Sequence, residues 1–191
     1  WRTNAMSAIT VFAETSNNRL DSTAAEMITA GRLISNQLGN ELNVVVIGEN
    51  ISRLAEEISL LGVNAVHVVD HPMLSINNPD LVVAALNQVC AQIKPRVFLL
   101  AKTHLGKTVG PRLAYRMGVS IAQDCVSLGT DKPNDNLVVT RPVFGGNAMA
   151  KFTFEATYPQ IATLRIKNFE ASSPNKDIPC RIEKITVTLD N

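Results

Sequence analysis

The sequence has little cysteine, little histidine and almost no net charge. Its three cysteines, Cys90, Cys125 and Cys180, are odd in number and far apart, so they fit neither a disulfide framework nor a closely spaced metal site. With only three histidines and no C-x-x-C pattern, the sequence gives no basis for a zinc or haem site. A formal net charge of +1 provides no general attraction to nucleic acid or to an anionic membrane. We therefore expect no metal and no nucleic-acid partner.

Long apolar runs are also missing. The sequence contains no stretch of 18 apolar residues and no segment typical of a secretory signal peptide. Together with cysteines that do not suggest disulfides, this predicts a bacterial-type cytoplasmic protein that does not insert into membranes. Residues 1–5 (WRTNA) precede Met6 and differ in character from the rest of the chain, so we interpret 1–5 as a vector remnant and 6–191 as a single domain.

The residues that are abundant favour an α/β fold. The hydrophobic fraction is 46% and the aromatic fraction only 5%, a balance typical of buried parallel strands flanked by helices. Up to Gly118, short apolar runs alternate with helix-period segments, whereas the remainder is mostly extended. Strands are predicted at 8–13, 42–47, 65–69, 96–101, 120–128, 137–140, 149–155, 160–165 and 181–189, and helices at 23–38, 51–61, 77–94 and 105–117. The pattern predicts a three-layer α/β/α Rossmann-like domain with a mostly parallel sheet and additional antiparallel strands in the C-terminal third.

The loop after the strand at 96–101 nearly matches a phosphate-binding motif. Residues 101–108 fit G-x-x-x-x-G-K-[ST] except that Ala101 stands at the first glycine, where a Cβ disfavours the wrapped loop. Pro111 removes one N–H donor early in the following helix. A nucleotide-binding α/β domain that uses Lys107, Thr108 and Arg112 is therefore an alternative to a plain strand-to-helix turn with a solvated lysine.

Residues 141–148 form a second unusual stretch between two predicted strands. The pair Gly145 and Gly146 before Asn147 is typical of a tight turn. Arg141 could bind a carboxylate or phosphate, and Asn147 could hold the loop by hydrogen bonds. The alternative is a simple hairpin in which Arg141 pairs with Asp124 or Glu155.

Several stretches together are similar to one known family. They are residues 103–114 (THLGKTVGPRLA), Asp124, residues 140–148 (TRPVFGGNA) and residues 159–165 (PQIATLR), preceded by Ala13-Glu14 before an alanine-rich helix. In order and spacing they resemble the N-terminal domain of the electron transfer flavoprotein alpha subunit. The resemblance implies a soluble alpha–beta heterodimer that carries electrons from acyl-CoA or similar dehydrogenases, as in fatty acid oxidation, to a quinone-linked acceptor. It also implies that FAD in the complete heterodimer is held mainly by a C-terminal domain beyond Asn191.

The resemblance leads us to expect a scaffold and beta-subunit interface domain that is non-catalytic and binds no flavin by itself. A G-x-S-x-G elbow and paired carboxylates on one helix face are both missing from the sequence, so hydrolytic chemistry has no support. No residue is assigned a catalytic, cofactor or metal role. An assembly module without any ligand remains a third possibility. The candidate interface or structural residues are Thr103, Gly106, Lys107, Arg112, Asp124, Arg141, Gly145, Gly146 and Asn147.

Overall fold

A seven-stranded parallel β-sheet forms the centre of the computed structural model, which describes residues 8–75, 78–132, 134–155, 157–171, 173–175 and 177–190. In chain order the elements are β1 (Ile9–Ala13), β2 (Thr15–Ser16), β3 (Arg19–Leu20), α1 (Thr23–Leu38), β4 (Leu42–Gly48), α2 (Ser52–Ser59), β5 (Ala65–Asp70), α3 (Pro79–Ile93), β6 (Val97–Ala101), α4 (His104–Met117), β7 (Ile121–Cys125), β8 (Ser127–Thr130), β9 (Leu137–Val143), β10 (Ala148–Thr153), β11 (Gln160–Leu164) and β12 (Arg181–Lys184). Two 3-10 turns lie at Pro72–Leu74 and Phe144–Gly146.

The strand order of the main sheet is β12-β5-β4-β1-β6-β11-β7. The chain moves outward from β1 through β4 to β5 and then returns to the other side of β1 with β6. This reversal between β1 and β6 is the topological switch point, where open α/β sheets usually bind their ligands.

Both faces of the sheet are covered by helices, because successive residues of a strand point to opposite faces. In β1, Ile9 and Val11 pack with α1 and α2, whereas Phe12 packs with α3 and α4. The two apolar clusters therefore lie on opposite sides of one sheet, which confirms the predicted three layers.

The C-terminal third contributes to two sheets. Strands β8, β9 and β10 form a separate antiparallel sheet, as the sequence predicted. Strands β7, β11 and β12, by contrast, join the main sheet in parallel orientation, and β11 inserts between β6 and β7. The predicted strand at 120–128 is thus divided, since it bends at Val126 from the main sheet into the small one.

A further sequence prediction, the extent of the last strand, is contradicted by the structure. The last strand was predicted over 181–189, but the ladder ends at Lys184; the segment after it instead packs along α3, where Gln88 donates to the carbonyl of Thr188 and Gln92 to that of Thr186. At the start of α1, the Asp21 carboxylate accepts from the backbone N–H of Thr23. The interpretation of residues 1–5 as a vector remnant lies outside the described residues, as does Asn77 at the predicted start of α3.

In the part of the chain that the structure describes, no helix is long and apolar enough to cross a bilayer.

Candidate functional site

Charged residues line the carboxyl edge of the sheet, where the strands of its central part end. Glu14 follows β1, Lys102 follows β6, Arg165 follows β11, and Asp124 lies near the end of β7. The strands are parallel and in register, with Leu164 opposite Ala101, so these side chains belong to one row. The row begins at the topological switch point.

The first part of the row is the Glu14 cluster, formed by Glu14, Thr103 and Gly106. The Thr103 hydroxyl donates to both carboxylate oxygens of Glu14, at 2.7 and 2.9 Å, and accepts from the backbone N–H of Gly106 at 2.9 Å. Thr103 is therefore both the N-cap of α4 and the anchor of a buried carboxylate. Burial raises the pKa of Glu14 to about 7, although the hydrogen bond from Thr103 opposes the shift.

The Glu14 cluster closes the place where a phosphate-binding loop would lie. Only Lys102 and Thr103 separate β6 from α4, and residues 104–108 are already helical. A Cβ added to Gly106 would lie 1.9 Å from the carbonyl oxygen of Ala101, so strand and helix are in direct contact. Lys107 is solvent-exposed on the first turn of α4. This geometry favours the plain strand-to-helix turn over the nucleotide-binding alternative, because a phosphate-binding loop needs backbone that wraps around the anion.

The second part of the row is an ion-pair network around Asp124. Arg165 donates to both carboxylate oxygens through Nε and a terminal nitrogen, at 2.9 and 2.7 Å, and the Lys102 ammonium lies 2.7 Å from the same carboxylate. Hydrogen bonds from Arg165, together with Lys102, lower the pKa of Asp124 to about 2. Asp124 is thus an anion that two cations hold in place.

A bulge in β7 explains how Asp124 reaches these cations. Ala122 pairs with Ala162 and Cys125 with Leu164, so β7 contains one extra residue between the two pairs. Asp124 has a positive φ of 64°, and its backbone N–H bonds the Thr163 hydroxyl at 3.1 Å. Bulges of this kind redirect side chains at the ends of sheets.

Strands β9 and β10 with their turn, residues 137–153, form a projection that we call the hairpin arm. Its base is buried, since Leu137 and Val139 pack into the core next to α1. Gln160 also fixes the base, because its buried amide accepts from the backbone N–H of Leu137 at 2.7 Å and donates to Asn136 at 2.9 Å. The arm therefore extends from a rigid attachment.

The far part of the hairpin arm exposes apolar side chains. Phe144 at the turn is 83% exposed, Met149 is 56% exposed and Phe152 is 44% exposed. Because strand residues alternate in direction, Met149 and Phe152 lie on opposite faces of β10. Phe144 also has a positive φ of 51°, which is uncommon for a bulky residue. Its turn therefore combines unfavourable backbone geometry with unfavourable exposure.

The base of this turn borders a cleft of about 480 Å³ that we call the Arg141 cleft. Its lining includes Asp124, Arg165, Phe144, Gly145 and Gly146. Both glycines have positive φ, 66° and 95°, as the paired-glycine turn requires. The structure thus brings together Arg141, Asp124, Gly145 and Gly146, four of the residues singled out in the sequence.

The other candidates lie elsewhere. Thr103 and Gly106 belong to the Glu14 cluster. Arg112 pairs with Asp80 and so connects α4 to α3. The Asn147 side chain is exposed and makes no hydrogen bond to any described residue, so the predicted loop-holding role is not seen. Within the described ranges, no ion pair joins Arg141 to Asp124 or Glu155, which were the partners considered for a simple hairpin.

Sequence reasoning did not select four residues that the geometry makes important: Glu14, Lys102, Phe144 and Arg165. Three of them share a readable signal, since each is a charged residue directly after a run of five buried strand residues. Phe144 had no comparable signal, because an aromatic residue next to paired glycines is equally compatible with a buried turn.

Comparison with known proteins identifies the family. Residues 9–190 match the model of the electron transfer flavoprotein domain. The electron transfer flavoprotein subunit alpha of Thermoanaerobacterium thermosaccharolyticum is 34% identical over 157 residues, which is 82% of this chain and 47% of that protein. The same-named subunit of Bacillus subtilis is 30% identical, covering 95% of this chain and 54% of that protein. The lactate dehydrogenase (NAD(+),ferredoxin) subunit LctC of Acetobacterium woodii is 32% identical, and the match covers 85% of this chain and 39% of that protein. The chain therefore spans about half the length of the curated relatives it matches, and it belongs to the electron transfer flavoprotein domain family.

Proposed function

We propose that this chain is the N-terminal scaffold and subunit-interface domain of an electron transfer flavoprotein alpha subunit, and that the hairpin arm docks onto the beta subunit. The complete heterodimer would be a soluble FAD-dependent carrier between dehydrogenases, of acyl-CoA or similar substrates, and a quinone-linked acceptor. Relatives that carry the name of an electron transfer flavoprotein subunit alpha support this assignment.

One observation carries the docking role: a rigidly attached arm exposes Phe144, Met149 and Phe152 on a turn and on both faces. Large apolar side chains that remain exposed are unfavourable in water and mark contact surfaces when they cluster. Backbone in a sparsely populated region is likewise associated with functional positions. An arm whose two faces are both exposed can be surrounded by a partner, which would bury all three side chains.

The described residues do not fit a flavin dinucleotide at the usual place. Dinucleotides usually bind with their diphosphate at the switch point, which here lies between β1 and β6. In this chain the Glu14 carboxylate lies there, and Gly106 packs directly against Ala101, so no space is left for a diphosphate. A carboxylate there also disfavours a second anion. We therefore propose that FAD in the heterodimer is bound outside this chain, so that this domain supplies support and contacts rather than redox chemistry.

The docking role is tested by measuring the affinity of the purified chain for its cognate beta subunit by calorimetry. The variant Phe144→Ser is expected to weaken binding at least about tenfold, since buried aromatic anchors dominate interface energies. Tyr115→Ser is the matched control, because Tyr115 is an aromatic residue that is 87% exposed and belongs to α4 rather than to the arm. Equal loss of affinity in both variants, or in neither, would contradict docking through the arm.

The cofactor proposal has a separate measurement. The visible absorbance spectrum of the purified chain, before and after addition of FAD and removal of the excess, is expected to show no retained flavin. Stoichiometric retention of FAD by this chain would reverse the proposed division of roles.

A further inference from the structure

Arg141 differs from the other cations near the carboxyl edge because it forms no ion pair with any described residue. Lys102 and Arg165 both contact Asp124. The Nε of Arg141, by contrast, is buried and has no hydrogen-bond partner among the described residues. A buried donor without an acceptor costs free energy, and native structures rarely keep one without a reason.

The Arg141 cleft carries excess positive charge. Arg141, Arg165 and Asp124 line it and Lys102 contacts Asp124, so three cations and one carboxylate lie together there. Arg165 and Lys102 already engage both oxygens of Asp124, so little of its charge remains for Arg141. An additional carboxylate in the cleft would therefore be attracted.

The cleft has room for such a group. Gly145 and Gly146 form part of its wall, and no atom of the described residues lies within 4 Å of the position that a Cβ would take at either glycine. Arg141 also lines a second cleft, of about 370 Å³, but Glu155 lies in that one and would repel an anion. The favourable approach to Arg141 is consequently from the side of Phe144.

We propose that Arg141 binds an aspartate or glutamate side chain of the partner subunit, which enters the Arg141 cleft beside Phe144. The inference rests on the proposed function, because it places the acidic residue on the protein that covers the hairpin arm. The open cleft also argues for a partner side chain over a free ion. In water, a single surface cation binds an anion weakly, whereas a docked partner excludes water and strengthens the same pair.

The first test measures the affinity for the cognate beta subunit with Arg141→Gln, at about 50 mM and about 500 mM salt. At low salt the variant is expected to bind at least about tenfold more weakly than the wild type, and its affinity is expected to vary less with salt. Arg141→Lys should retain part of the affinity and the salt dependence. Arg53→Gln, an exposed arginine on α2, is the control and should change neither.

The second test needs no change in this chain. Each acidic residue on the surface of the beta subunit is replaced singly by its amide, and one replacement is expected to weaken binding as much as Arg141→Gln does. Combining the two changes should then add little further loss, because both remove the same pair. If no single amide replacement weakens binding about tenfold, the proposed pair does not exist.

The outcomes separate this inference from the proposed function. Loss of binding with Phe144→Ser but not with Arg141→Gln would overturn the acidic contact and leave docking through the arm intact. If inorganic phosphate raises the melting temperature of wild type but not of Arg141→Gln, while partner affinity is unchanged, the cleft binds a small anion and the proposal is wrong. If neither Phe144→Ser nor Arg141→Gln affects binding, both proposals fail.

Discussion

The turn after β6 and the turn of the hairpin arm were both singled out in the sequence, yet the Glu14 cluster and the hairpin arm differ in how completely their polar groups are paired. Thr103 satisfies both the Glu14 carboxylate and the first turn of α4, and Gly106 allows strand and helix to touch. On the hairpin arm, Phe144 is exposed and the Nε of Arg141 lacks a partner within the described ranges. A site whose groups satisfy one another contributes to folding, whereas one with unsatisfied groups is available for binding.

We expect the largest loss of folding stability from a substitution at Gly106, in the fully paired Glu14 cluster. Because a Cβ would lie 1.9 Å from the Ala101 carbonyl oxygen, Gly106→Ala must displace either β6 or α4. We expect the free energy of unfolding, measured in urea, to fall by about 3 kcal/mol or more. Gly129→Ala is the control, since no atom lies within 4 Å of its Cβ position. Similar stabilities for the two variants would show that β6 and α4 are not in direct contact.

The buried Glu14 carboxylate should make stability depend on pH. Its pKa is raised to about 7 in the folded protein, above the ordinary value of 4.5, so the folded state binds the proton more tightly than the unfolded state does. Stability should therefore fall by about 3 kcal/mol as the pH rises from about 4.5 through 7.

The variant Glu14→Gln isolates this contribution, because the amide oxygen can still accept from Thr103 while carrying no charge. Relative to wild type, the variant is expected to be more stable at pH 8 and nearly equal at pH 5 in urea unfolding experiments. Parallel pH profiles for the two proteins would mean that Glu14 is not buried in the way the structure shows.

At the turn of the hairpin arm, the effect of a substitution on stability should be determined by backbone geometry and not by packing. Gly146 has φ of 95°, and a Cβ there would contact nothing within 4 Å. Gly146→Val is expected to lower the free energy of unfolding by about 1–3 kcal/mol, since a β-branched residue disfavours positive φ. Lys107→Ala, at an exposed position on α4, should change it by less than about 0.5 kcal/mol. Equal melting temperatures for the two variants would argue against this turn geometry.

The smallest effect is expected at Phe144 itself. Phe144→Gly removes an exposed ring and relieves a positive φ of 51°, so stability should change by less than about 1 kcal/mol despite the loss of a large apolar side chain. Phe152→Gly provides the comparison, because Phe152 lies in regular strand and is less exposed. If Phe144→Gly proved the more destabilising of the two in thermal unfolding, Phe144 would be packed within this chain.

Much of the fold could be predicted because its signals are local. The buried runs of β1, β4, β5 and β6 and the paired-glycine turn all depend on residues adjacent in sequence. The end of β12 was overestimated for a related reason: apolar alternation continues past Lys184, but α3, rather than a neighbouring strand, receives that segment. Periodicity reports which side chains are buried and does not say what buries them.

The candidate site was predicted less completely. Asp124 was considered as an ion-pair partner of Arg141, whereas the structure pairs it with Lys102 and Arg165 and places Arg141 in the same cleft. This arrangement depends on the insertion of β11 between β6 and β7 and on the bulge in β7. Arg165 becomes a partner of Asp124 through the same insertion. Strand order across a sheet is a property of long-range pairing, so no local pattern revealed these contacts.

By itself, the sequence determined that this protein alternates strands with helices and closes its turns at particular glycines, because periodicity and backbone freedom are properties of neighbouring residues. The tertiary structure alone decided that the Glu14 carboxylate is satisfied internally and that the Nε of Arg141 finds no acceptor among the described residues. Whether a polar group finds a partner depends on which distant strands lie side by side, and that arrangement results from burying the whole apolar surface at once.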